Sequence, residues 1–411
     1  MKYLKYIQFT LIALIITDSL RYIAWSGKLN IDTGTYISII LNYASLAIMI
    51  FMSTKINWSQ EIPRSIKIMF SLWMINNIVN LIRAFFLAAD YWDWKVLVMS
   101  SESFSLIPLA FFLGLNLEIA KIIFRFFIKY AFVFGFILIP LALATNDELY
   151  SRIMIPIVLF ILFIPYLKSK WKLLLIIVAV TSIFVVIDFR SNIIKITFSS
   201  LLLFFYYFQN YIKQLWIRFV CWFLYLLPII MLALAITGNY NVFQEISNEE
   251  DYNIKNSEGE IESMTSDTRT FLYEEVITSV HQAEAFWFGK SAIGSYYSEA
   301  FTDLTGTSES NKRFGCEVGI LNFYMRYGII GVTIYFLFLS TVSFYAINRS
   351  NNTLSKMLGL FVAFRWTFSF VEEFTQYDLN FYFFWVAVGF VSSVSFRKMN
   401  DDDLKKYFEL I

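Results

Sequence analysis

The chain of 411 residues is 58% hydrophobic and 20% aromatic, too apolar to give a soluble globule of its size enough polar surface. Its formal charge is +1, from 33 basic and 32 acidic residues with the one histidine neutral, so no basic excess points to nucleic acid. What remains is a membrane protein, in which the position of each charge matters more than the total.

Apolar blocks run at 6–24, 36–53, 66–88, 96–117, 130–144, 153–167, 172–187, 193–208 and 216–237. After a polar stretch from Gly238 to Cys316 they resume at 318–345, 356–371 and 381–396. Lipid offers backbone amides no partner outside a helix, so these blocks predict about twelve membrane-crossing helices. The block from Ile122 to Ala144 has room for an amphipathic lead-in. The expected organisation is all-α and polytopic: helices over 1–237, one large loop over 238–317, and further helices with a tail over 318–411. The first block contains Asp18 and Arg21 and no small-x-small cleavage site, which marks a retained helix rather than a signal peptide.

Basic residues accumulate in alternate connections: Lys55, Arg64 and Lys67; Lys121, Arg125 and Lys129; Lys168, Lys170 and Lys172; Lys213 and Arg218; Arg349 and Lys356; and the tail from Arg397. The intervening connections, NIDTGT, ADYWDW, TNDELY and EEFTQYD, are acidic or neutral. The positive-inside rule then places both termini in the cytoplasm and the long loop outside. Cys221 and Cys316 fall at opposite ends of their helices, too far apart to pair, and no metal-ligand spacing occurs.

A connection of about 80 residues exceeds what a bundle needs. Its first half, Asn239 to Ser263, is acidic and reads as a lid or linker. Ser266-Asp267 then supplies a helix start, and Leu272, Val276, Val280, Ala283 and Trp287 recur at helical spacing until Gly289. This predicts an amphipathic helix on the outer mouth of the bundle, with Arg269 in its first turn. Next come Gly289-Lys-Ser-Ala-Ile-Gly294, SESNKRFG over 308–315, and CEVGILNFYMRYGIIG over 316–331.

That order of arginine, amphipathic helix, aromatic and glycine, followed by a polar turn and a helix carrying EVGILNFYMRYGIIG, resembles the large periplasmic loop and following helix of the O-antigen polymerase and O-antigen ligase superfamily. The likeness covers about residues 265–340, with an echo at Asp188-Phe-Arg-Ser-Asn192 and in the overall plan of helices and late loop. The ligase branch usually has His-Asn where this chain has Glu317-Val318, which favours the polymerase branch. The resemblance implies a GT-C-like glycosyltransferase of the bacterial cytoplasmic (inner) membrane, without metal or other cofactor. Its implied substrates are undecaprenyl-diphosphate-linked oligosaccharides of O-antigen or capsule, and a polysaccharide chain-length regulator is a candidate partner beside membrane lipids.

Under that reading a diphosphate leaving group develops charge, which guanidinium groups hold through paired hydrogen bonds. Arg190, Arg269 and Arg313 are the candidate diphosphate ligands. The plain alternatives are a headgroup anchor or Asp188 partner for Arg190, a solvated first-turn residue for Arg269, and a surface pair with Lys312 for Arg313. Glu317 is the candidate base for the acceptor hydroxyl, on the expectation that burial against Phe314 raises its pKa; a carboxylate favoured by the helix dipole is the alternative. His281 is first a packing or solvated residue and then a sugar contact. Asn80 and Arg83 share a helix face and are candidate groove residues, whereas Arg365, Glu372 and Glu373 suggest a pair with another helix. A ligase acting on lipid A core and a lipid-linked-oligosaccharide flippase are the rival readings; the flippase requires charged residues deep in a cavity and repeat-related halves.

Overall fold

Every apolar block of the sequence contains helix in the computed structural model, which describes residues 3–25, 31–55, 62–145, 150, 153–185, 190–236, 253–255, 261–263, 270–298, 312–373 and 375–408. In chain order these are α1 (Leu4–Trp25), α2 (Ile31–Ser53), α3 (Arg64–Leu87), α4 (Tyr91–Leu115), α5 (Leu117–Thr145), a short α6 (Ile157–Phe160) that continues as the 3₁₀ helix Ile161–Tyr166, α7 (Ser169–Val185), α8 (Arg190–Tyr207) and α9 (Gln214–Ile236). The long loop contributes the hairpin of β1 (Asn253–Lys255) and β2 (Ile261–Ser263), then α10 (Thr270–Gln282), β3 (Tyr296–Tyr297) and β4 (Lys312–Arg313). There follow α11 (Gly319–Asn348), α12 (Thr353–Phe368), α13 (Leu379–Ser392), α14 (Val394–Lys398) and α15 (Asp401–Phe408). Among the described residues, Gly34–Ser53, Arg64–Leu87, Tyr91–Leu115, Gln214–Leu234 and Gly319–Asn348 are long and apolar enough to cross a membrane.

The block at 153–167 departs from expectation. After a turn at 155–156, the 4 α-helical residues of Ile157–Phe160 and the 6 3₁₀ residues of Ile161–Tyr166 rise only about 18 Å, against roughly 30 Å for a hydrocarbon core. Pro156 and Pro165 lack the amide that a longer helix would need, and all of Ile157–Tyr166 is buried against other helices instead of facing lipid.

Helices α4 and α13 pack closely, because Gly114 and Gly389 face each other's neighbours: a Cβ at either would overlap the carbonyl of Val386 or Phe111. Beside this contact Trp73 of α3 meets Phe323, Tyr327 and Tyr335 of α11 at centroid distances of 5.0–5.5 Å. The basic connections gather at one end. There Ser65 Oγ donates to the Tyr345 hydroxyl, Arg397 Nη1 donates to the Arg349 carbonyl at 3.1 Å, and Gln214 Nε2 donates to Ile347 O at 2.7 Å. Asp401 accepts from the Tyr166 hydroxyl and the Thr353 amide at 2.7 and 2.9 Å, and Lys121 lies over the Tyr407 ring. The opposite end carries the long loop.

Candidate functional site

At the loop-bearing end α11 is broken. Gly328 has φ 62 and ψ −169, so the helix stops and restarts, freeing amides and carbonyls that a continuous helix would pair. The loop satisfies them: Ile329 N donates to Phe286 O at 2.9 Å, Ile330 N to Trp287 O at 3.3 Å, and Lys290 N to Met325 O at 2.7 Å. Gly289, with φ 66, lies against Gly328 so closely that a Cβ on either would overlap the other strand's backbone. Two glycines thus let one backbone enter the gap in another, as happens where broken helices line cavities of membrane proteins.

Side chains lock this junction. Arg83 Nη1 donates to Phe288 O at 2.7 Å and to Asn80 Oδ1 at 3.2 Å, while Nη2 donates to Gly289 O at 2.8 Å. Arg83 and Asn80 therefore share a face as expected, and their polar atoms brace the loop. Lys290 Nζ donates to Ser279 Oγ at 2.7 Å and to Ser295 O at 2.9 Å, and burial draws its pKa below the ordinary lysine value. Ser100 Oγ of α4 donates to Ala292 O at 3.1 Å.

The loop helix is shorter than its apolar spacing predicts. It ends at Gln282, because Glu284 takes φ 52 and turns the chain toward the break in α11. Leu272, Val276 and Val280 are buried as expected, but Trp287 is 62% exposed, since its carbonyl rather than its ring is used at the junction. His281 stands exposed in the last turn, its ring 6.0 Å from Phe286.

The segment 369–373 brings three helix starts together. Ile320 N donates to Ser369 O at 2.8 Å and Gly319 N to Glu372 O at 3.2 Å, which caps α11. Tyr273 in the first turn of α10 donates to Phe370 O at 2.7 Å. From the first two turns of α8, Ser191 Oγ donates to Glu372 Oε1 at 3.3 Å, and Lys195 Nζ lies 2.5 Å from Glu372 Oε2. The Lys195 side chain is only 2% exposed, so Glu372 supplies the cross-helix pair that the sequence suggested. Beside it Asn322 receives the Cys316 amide on Oδ1 at 2.9 Å, and its Nδ2 donates to Cys316 O and to the Glu373 carboxylate. Burial pushes the Cys316 thiol up to about 12, which keeps it protonated.

Of the candidates, Arg190 is the first residue of α8, and its side chain lies outside the described residues. Arg269 also lies outside them, one position before α10 begins. Arg313 is half-buried in β4, opposite Tyr296, and its neighbour Lys312 reaches Asp93 Oδ1 at 2.9 Å and Asp90 Oδ2 at 3.4 Å. Burial alone would lower the Lys312 pKa, and the two carboxylates outweigh it and raise the value. Glu317 contradicts its expectation of burial. The helix starts two residues later, at Gly319, and Glu317 sits exposed on the turn before it, whereas Glu373 is the carboxylate drawn in at this end. Lys195, Asn322 and Arg326, whose Nη2 donates to Phe314 O at 3.3 Å, are site residues that sequence reading missed. No family model, curated protein or solved structure matches the chain.

Proposed function

We propose that the protein polymerises polyprenyl-diphosphate-linked oligosaccharides at the periplasmic face of a bacterial cytoplasmic membrane, as its resemblance to the O-antigen polymerases implies. The observation that carries this reading is the meeting of the first turns of α8, α10 and α11 about residues 369–373. Each helix start is the positive end of a dipole, and the sequence sets an arginine at the start of α8, one residue before α10 and six before α11: Arg190, Arg269 and Arg313. Such a mouth suits a diphosphate, and the apolar helix faces around it suit a prenyl chain.

In the reaction, a sugar hydroxyl of the incoming unit attacks the anomeric carbon of the growing glycan. The carbon–oxygen bond to its lipid diphosphate breaks, and that diphosphate leaves with the electron pair. The hydroxyl proton passes to Glu317, which stands exposed near the mouth, while the arginines hold the developing phosphate charge. Lys195, Glu372, Asn322 and Glu373 position the helix starts.

Arg190→Ala and Arg269→Ala test this. Each variant is expected to lower polymerisation about 100-fold or more at unchanged protein level, the size typical of losing one preorganised charge ligand. The check is a time course of purified protein in liposomes with synthetic lipid-diphosphate-linked repeats. Wild-type turnover by both variants removes these arginines from the mechanism.

A further inference from the structure

A second polar cluster lies inside the bundle, between α1, α2, α4 and the start of α13. Its centre is Glu102, about 16 Å along α4 from the loop-bearing end, with a side chain 0% exposed. Asn42 Nδ2 of α2 donates to Glu102 Oε2 at 2.8 Å, and Arg21 Nη2 of α1 lies 3.8 Å from the same oxygen. Arg21 Nη1 donates to Tyr377 O at 2.8 Å, and the Tyr377 hydroxyl donates to Asn42 O at 3.3 Å. Asp18 Oδ2 accepts from the Leu379 amide at 3.1 Å.

Two features do not balance if Glu102 is ionised. Glu102 Oε1 and Asn42 Oδ1 are buried and accept no hydrogen bond among the described residues, although the two side chains are already joined through their other polar atoms. Leaving such acceptors unmade in an apolar interior costs about 1–3 kcal/mol each. An ionised Glu102 is also only weakly compensated. Around Glu102 the described elements offer Asp18 and Arg21 from α1, only Ser38, Asn42 and Ser45 from the buried face of α2, and Tyr377 before α13. Asp378 caps α13 at the Phe381 amide and lies within electrostatic reach of Arg365 instead. Arg21 lies 3.8 Å from Glu102 Oε2, beyond hydrogen-bond reach, at a depth where a weakly compensated charge is expensive.

We propose that Glu102 is a proton-binding site within the membrane-spanning bundle, its proton held on Oε1 and donated to Asn42 Oδ1. A carboxylic acid and a carboxamide then pair through two hydrogen bonds, one the Nδ2 to Oε2 bond already present and one made by the proton. Both orphan oxygens are satisfied, and Glu102 carries no charge. The bound proton fastens α2 to α4, and its loss leaves a buried carboxylate with Arg21 Nη2 3.8 Å away. This inference does not depend on the polymerase reading, since no residue of the cluster belongs to the mouth.

Glu102→Gln tests it, because glutamine reproduces the protonated acid: its amide donates to Asn42 Oδ1 and its carbonyl accepts from Nδ2. Infrared difference spectra of the full-length protein at pH 7, wild type minus Glu102→Gln, are expected to show the carbonyl stretch of a protonated carboxylic acid, shifted in D2O and displaced in Asn42→Leu. The wild type is expected to lose stability as pH rises and the proton is released, and Glu102→Gln should keep the wild-type thermal midpoint in detergent and abolish that loss. A lost carboxylate band in place of the acid band overturns the proposal, as does a Glu102→Gln protein that folds poorly, since a neutral isostere must suffice. Stabilisation by sodium over choline at fixed pH, abolished in Glu102→Gln, would assign the site to an alkali cation and equally overturn it.

Discussion

Gly328→Ala is expected to lower the stability of the protein by about 3 kcal/mol or more and to release the loop segment 286–290 from α11. Two costs add. A side chain at φ 62 is strained, and its Cβ would overlap the carbonyl of Trp287, so the loop backbone must withdraw. Withdrawal breaks the bonds from Ile329, Ile330 and Lys290 that fill the gap in the helix, each worth about 1 kcal/mol. The Arg83 guanidinium then loses the carbonyls of Phe288 and Gly289. Hydrogen exchange gives the sharpest check. The amides of Ile329, Ile330 and Lys290 should lose protection in the variant while α4 and α13 keep theirs. A wild-type thermal midpoint with those amides still protected would show that the break in α11 does not need glycine.

Glu372→Leu is expected to cost about 3–5 kcal/mol, because it removes the carboxylate from a lysine buried beside it. Lys195 is 2% exposed and lies 2.5 Å from Glu372, with its ammonium also over the Phe368 ring at 5.3 Å. The double variant Lys195→Met, Glu372→Leu should regain much of that loss, since burying two apolar side chains removes the desolvation cost of the pair. A coupling free energy above about 1.5 kcal/mol in the double-mutant cycle is the expected result. Simple additivity would mean that the pair does not hold α8 to the start of α11. Because Glu372 also accepts from Ser191 and its carbonyl caps Gly319, the same variant should, under the proposed function, reduce polymerisation through misplacement of the helix starts.

Much of the helical plan was legible because it follows from hydropathy alone. Lipid forces backbone bonds into local helices, so an apolar block of sufficient length reports its own structure without knowledge of its neighbours. The misreadings arose where tertiary partners decide. The block at 153–167 is apolar enough to cross, yet Pro156 and Pro165 confine it to a short buried segment. The loop helix keeps its heptad-like spacing past Gln282, but the carbonyls of Phe286 and Trp287 are recruited to α11, and the chain leaves helical geometry to deliver them. Glycines at 289 and 328 are visible in the sequence; that they meet is not, since 39 positions separate them.

The candidate site was legible in part. Arg83 and Asn80 were found from their spacing, but their use in bracing the loop depends on backbone oxygens that no side-chain pattern announces. Glu317 was chosen for its place at a helix entry, and a two-residue difference in where α11 starts leaves it exposed. Lys195 and Glu372 pair over a long sequence separation, so neither predicts the other. Glu102 could have been found: a lone acidic residue inside the apolar block 96–117 is conspicuous on grounds of cost. A buried ionisable group is also what the flippase reading requires, so Glu102 bears on the choice between the polymerase and flippase readings.

Deletion of the gene, followed by gel analysis of surface polysaccharide, separates these readings most directly. The polymerase account predicts single-repeat products on lipid A core, with the ladder of longer chains absent and restored by the wild-type gene but not by Arg190→Ala or Arg269→Ala. A core bearing no repeat at all, with polymer retained on its prenyl lipid, would contradict it in favour of a ligase. Repeat units stranded on the cytoplasmic leaflet would contradict it in favour of a flippase.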